Sequence, residues 1–144
     1  MRTVETESLN KLLRGEIAAV ESYDQALERF DDTTLASDLV RIRNEHRKAV
    51  QELTACVDDK GTMPETTSGG WGQIVKAVET TALLLGTTTA IKALKKGEAF
   101  GIKEYEKAIH GPNLDSECKS LIRNKLLPRQ RTHVSELDRL LNGR

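Results

Sequence analysis

Apolar residues recur along this chain at intervals of three and four, the spacing of helices that bury one face. Leu9, Leu12, Leu13, Val20, Tyr23, Leu27 and Phe30 predict a first helix over roughly residues 4–30, ended by Asp31 and Asp32. Leu35, Leu39, Ile42, Val50, Leu53 and Val57 predict a second, opened by Thr33 or Thr34 as cap and closed near Lys60–Gly61. The stretch GTMPETTSGGWG, residues 61–72, reads as a linker. Ile74, Val75, Val78, Ala82 and Leu85 then predict a short crossover helix over 71–85, stopped by Gly86. Thr87 to Thr89 can cap the next helix, which runs to about His110. Gly111, Pro112 and Asn113 break the chain, and Asp115 or Ser116 caps a last helix that Pro128 should kink. Two antiparallel helical hairpins joined by a long crossover make a four-helix bundle, all-α and a single domain over 1–144.

The pattern repeats. LLRGEIAAVESYDQAL (12–27) returns as LKKGEAFGIKEYEKAI (94–109), and both fit Leu-x2-Gly-Glu-x6-Tyr-x2-Ala-(Leu/Ile). A second echo aligns Leu35, Leu39, His46, Val50 and Leu53 with Ile122, Leu126, His133, Leu137 and Leu140. The chain is thus two helix–turn–helix halves of one design, related by a pseudo-twofold.

Composition changes this picture little. Aromatic residues are only 3% of the chain and prolines number three, as suits a bundle packed with aliphatic side chains. Net charge is zero, so nothing global points to nucleic acid. Lys92, Lys95, Lys96, Lys103 and Lys107 lie along one helix without interleaved aromatics and read as a solvated face. The halves differ in sign: residues 1–72 carry 9 basic against 14 acidic groups, and residues 73–144 carry 13 against 8. Such halves either pack against one another or steer a homodimer together, and a homodimer is the expected assembly. The longest apolar run, Ala82 to Leu85, is too short to span a membrane, and no apolar segment opens the chain. A soluble cytoplasmic protein is the expectation, with Cys56 and Cys118 as buried free thiols.

Each half places a Glu and a His where an apolar residue belongs. Glu16 interrupts Leu12/Val20/Tyr23, Glu98 interrupts Leu94/Ile102/Tyr105, and His46 interrupts Leu39/Ile42/Val50/Leu53. With His133 they form the candidate metal set. Arg43, Gln130, Tyr23 and Tyr105 are the residues expected to line the same polar core layer. Glu136 shares a face with His133, whereas Glu45, pointing about 100° from His46, reads as solvated. His110 reads as a helix C-terminal group interacting with the dipole.

Paired hairpins with Glu and Tyr on the first helix and His on the second resemble the ferritin-like superfamily. More narrowly, SLNKLLRGE, SGGWGQ, KKGEAFGIKEYEKAI and the late His133–Leu137–Leu140 resemble a bacterial family of small ferritin-like proteins, a domain of unknown function. The resemblance implies the bundle, and for the superfamily a di-iron site: one Glu from each of two helices and a Glu-x-x-His from each of the others. Here the residues three before the histidines are Arg43 and Gln130, which cannot bridge two cations. No catalytic residue is assigned and no cofactor is expected beyond a single divalent ion such as iron, manganese or zinc. Three readings stay open: a polar layer that sets helix register, a single low-affinity metal, and a working dinuclear centre. The expected role is that of a non-enzymatic structural, stress-associated or partner-binding protein. The alternative is a metal-binding protein with residual iron or peroxide oxidation chemistry.

Heights along the helices favour one pairing over the other. Glu16 and His46 lie about equally far from the first turn. Glu98 lies about 12 residues before the second turn and His133 about 18 after its cap, a mismatch of roughly 9 Å at 1.5 Å per residue.

Overall fold

The computed structural model describes residues 3–30, 33–61, 64, 66–67 and 86–143, and among these there is no strand. Helix α1 is Val4–Leu27, α2 is Thr33–Asp59 and α3 is Thr87–His110. A fourth rod is built of α4 (Ser116–Leu121), a π-helical segment (Ile122–Leu126) and α5 (Leu127–Asn142). The expected crossover helix lies outside the described residues. No described helix is long and apolar enough to cross a membrane.

Local chemistry sets the ends. Thr3 caps α1 through a reciprocal box, its hydroxyl accepting from the Thr6 amide at 3.1 Å while the Thr6 hydroxyl accepts from the Thr3 amide at 2.8 Å. α1 stops three residues short of Phe30, which still packs against the core. Past α2, Gly61 takes a φ of 72°, the left-handed conformation that glycine adopts without a Cβ clash. Gly86, not a threonine, holds the N-cap of α3, and no side chain caps it. Asp115 caps α4 by accepting from the Cys118 amide at 2.9 Å.

Pro128 stands in the first turn of α5, just after the π-helical segment. It lacks the N–H that would close an α-helical bond, and its ring crowds the carbonyl one turn back. The π-helical turn immediately before it widens the backbone there, with the Leu127 amide reaching back to the Ile122 carbonyl.

Cross-helix bonds give the directions. Arg43 pairs with Asp24 and Lys60 with Glu5, so α1 and α2 are antiparallel. Lys11–Glu104 and Tyr23–Glu98 make α1 and α3 antiparallel, and Arg41–Glu136 with Glu52–Arg129 do the same for α2 and α5. α2 and α3, each antiparallel to α1, therefore run parallel.

The core is split in two. Leu9, Leu13, Leu53, Val57, Leu114, Ile122 and Leu126 fill one end, and Ala26, Leu35, Leu39, Ile42, Ile91, Leu94 and Leu137 fill the other. Between these clusters α1, α2, α3 and α5 each contribute buried polar residues: Glu16, His46, Glu98, and Gln130 with His133.

Candidate metal centre

The polar layer is a continuous chain of hydrogen bonds. Tyr105 donates to Glu16 Oε1 at 2.5 Å, and Glu16 Oε2 meets His46 Nδ1 at 2.6 Å. The opposite nitrogen, His46 Nε2, meets Glu98 Oε1, which also accepts from the Tyr23 hydroxyl at 3.0 Å. Glu98 Oε2 lies 3.3 Å from His133 Nδ1, and His133 Nε2 lies 2.6 Å from Glu45 Oε1. Gln130 donates to the main-chain carbonyl of Glu98 at 3.1 Å. The two imidazoles stand 4.8 Å apart, centre to centre.

Both tyrosines are buried, and each is tied to a carboxylate of the opposite repeat. Burial, then the neighbouring Glu98 charge, raises the Tyr23 pKa well above the ordinary range; burial and Glu16 do the same for Tyr105. For His46, burial opposes charge, but the carboxylates of Glu98 and Glu16 outweigh it and hold the pKa well above that of an ordinary histidine. Burial likewise works against the Glu98 carboxylate, yet the His46 charge and the bonds from both imidazoles lower its pKa to about 2.

Three of these groups converge enough to hold an ion. One ligand atom from each of His46, Glu98 and His133 lies within 4.8 Å of the others, and all three residues are buried. Glu16 is not part of that triad because it occupies the far nitrogen of His46. The register objection falls. Lys119 donates to the Gly111 carbonyl at 2.6 Å, so the fourth rod starts beyond the end of α3. From that level Glu98 is 13 residues back (111 minus 98) and His133 is 14 forward (133 minus 119), nearly equal heights.

Arg43, expected in the layer, sits elsewhere, as do other charged residues singled out in the sequence. Arg43 turns to Asp24 on α1 at 2.9 Å and to Asn44, and bonds to none of the layer's carboxylates. Glu136 is buried but held by Arg41. His110 is exposed at the end of α3. Glu45, read from sequence as solvated, is instead the partner of His133. A signal for it exists: Arg41, Glu45 and Glu52 make a charged stripe on α2 that matches Glu136, His133 and Arg129 on α5. Helical spacing shows such a stripe but not which neighbour faces it.

A cavity of about 50 Å³ reaches the layer between α1 and α3. Gly15, Ala18, Ala19 and Ser22 line one side, Ala93, Gly97 and Gly101 the other, and Glu16, His46 and Glu98 border it. It has room for a few waters, at about 10–15 Å³ each, or one small ligand.

No curated protein and no solved structure matches the chain. The profile of one family, described as "Domain of unknown function (DUF2383)", matches residues 4–111, which include Glu16, His46 and Glu98 but not His133. The chain belongs to this DUF2383 family.

Proposed function

We propose that this protein is a non-enzymatic ferritin-like bundle that binds one divalent metal ion through His46, Glu98 and His133. The observation that carries the reading is the second partner of each imidazole. Glu16 holds the far nitrogen of His46 and Glu45 the far nitrogen of His133, both at 2.6 Å. A carboxylate in that place sets the tautomer, turns the ring and raises the basicity of the nitrogen facing the ion. Two imidazoles and one carboxylate suit iron, manganese or zinc, and leave coordination positions open.

A dinuclear centre does not fit. The two positions that should bridge a second ion hold Arg43, engaged with Asp24, and Gln130, engaged with the Glu98 carbonyl. A single bound ion would supply Lewis acidity or a one-electron couple. Rapid ferroxidase turnover, which draws on two irons, is not expected.

A second reading is supported by the completeness of the network. Tyr105, Glu16, His46, Glu98, Tyr23, His133 and Glu45 satisfy one another, which is what a buried polar layer must do. On that reading the layer sets helix register and the bundle serves as a scaffold, as a homodimer, for a partner. Metal analysis of the protein purified without chelator, followed by titration with Fe(II), Mn(II) and Zn(II), separates the two. One ion per chain, lost in His46→Ala and His133→Ala, supports the metal site. Two ions per chain, or stoichiometric aerobic Fe(II) oxidation within seconds, would restore the dinuclear reading. No binding leaves the structural layer as the function of these residues.

A further inference from the structure

The chain has two cysteines, 62 positions apart (118 minus 56), and the fold brings them together at one end of the bundle. Cys56 lies in the last turns of α2, and Cys118 in the first turn of α4, so they come from different hairpins. The Lys60–Asp115 ion pair fastens those two helix ends one turn away. Lys60 stands four residues past Cys56 on the same face, and Asp115 folds back onto the Cys118 amide at 2.9 Å. Cys118 is buried in the core cluster against which Cys56 packs, and each thiol lies near enough to shift the other's pKa. Cys56 keeps partial exposure while Cys118 is 3% exposed.

Two thiols used only as core filler need not share one cluster at the junction of two hairpins. Placing the only two cysteines at one core cluster, beneath an ion pair that fastens their helix ends, with one accessible and one sheltered, is the arrangement of an attacking and a resolving thiol. We propose that Cys56 and Cys118 are a modification site, a dithiol that a hydroperoxide oxidises to an intramolecular disulfide joining the two hairpins.

The chemistry balances without a further reagent. Cys56 sulfur, as thiolate, attacks one peroxide oxygen; the O–O bond breaks, the other oxygen takes up the proton that the Cys56 thiol released and leaves as water or an alcohol, and Cys56 becomes a sulfenic acid. Cys118 sulfur then attacks Cys56 Sγ, the S–O bond breaks, and the leaving hydroxide takes up the Cys118 proton as water. Two thiols lose two protons and two electrons, and the hydroperoxide is reduced. Burial raises both thiol pKa values, so the thiolate is scarce at neutral pH and the reaction is slower than at an activated cysteine.

The test uses the full chain, reduced and then exposed to hydrogen peroxide with a chelator present. Expected are loss of both thiols, an intact mass lower by two hydrogens, a peptide containing Cys56 linked to Cys118, and a monomer on a non-reducing gel. Closing a loop of this length should raise Tm by about 10 °C, reversed by dithiothreitol. In Cys118→Ser, a sulfenic-acid trap should label Cys56; in Cys56→Ser, Cys118 should lose its thiol at least about tenfold more slowly than wild type does. A mass gain of oxygen without a linked peptide, a disulfide between chains, or thiols that persist while the urea-unfolded chain oxidises would each overturn the proposal.

Discussion

The Tyr23 hydroxyl of α1 donates to the Glu98 carboxylate of α3 at 3.0 Å, and the equivalent residues of the other repeat, Tyr105 and Glu16, return the bond at 2.5 Å. Each repeat thus completes the other's carboxylate, and the layer forms only when the two halves are packed. Tyr23→Phe and Tyr105→Phe should each cost about 1.5–3 kcal/mol, the range for a hydrogen bond to a charged group. Because His46 joins the two carboxylates, the double variant should deviate from the sum of the singles. Urea denaturation measures all three, and losses under about 0.5 kcal/mol would mean that the hydroxyls find other partners.

Metal affinity should depend on residues that do not touch the ion. Glu16→Gln and Glu45→Gln should weaken binding by about 10–100-fold, since each holds the far nitrogen of a ligating imidazole. Gln at Glu45 should leave stability nearly unchanged because its side chain is about one-third exposed, at 35%. Calorimetric titration of Zn(II) checks both, and an affinity equal to wild type would detach these carboxylates from the metal site.

Replacing buried Glu16 by Leu should cost more stability than replacing it by Gln. The amide can still meet Tyr105 or His46, whereas Leu leaves both without that partner. Equal melting temperatures for the two variants would show that the layer is not important to stability.

Metal-free protein should be most stable in mildly acidic solution. The His46 pKa is raised in the fold, so its contribution is complete below about 6.5 and is lost as pH rises through the raised value. Glu98 is lowered to about 2, so its contribution is present above about 4.5 and is lost as pH falls toward 2. Urea midpoints near pH 3, about 5.5 and about 9 should therefore peak at the middle value. A bound ion takes the place of the His46 proton, so metal should strengthen with pH and flatten the alkaline side.

Two glycines of α3 should respond in opposite ways. A Cβ on Gly101 would overlap Gln130 Nε2, so Gly101→Ala forces that amide from the Glu98 carbonyl and should cost about 1–3 kcal/mol. Adding Gln130→Ala should recover part of the loss. Gly97 has open space where a Cβ would stand, so Gly97→Ala should stabilise by up to about 1 kcal/mol while narrowing the cavity. Thermal melts of the three variants decide the matter.

The four long helices were legible in the chain because an apolar stripe at helical spacing depends only on local geometry. The same stripes exposed Glu16, His46 and Glu98 as polar interruptions, and the repeat pointed to His133. How these groups meet was decided by packing. The rotation of α2 against α5 brings Glu45 to His133, and that of α1 against α2 turns Arg43 to Asp24. The height of His133 depends on where the fourth rod begins, set by the Gly111–Asp115 connection and the Lys119 bond across it. The approach of Cys56 and Cys118 to one core cluster likewise arises only where two hairpins dock. Periodicity determines which face of a helix is buried; the neighbour that face meets depends on rotations and offsets between helices, which are summed over the whole core.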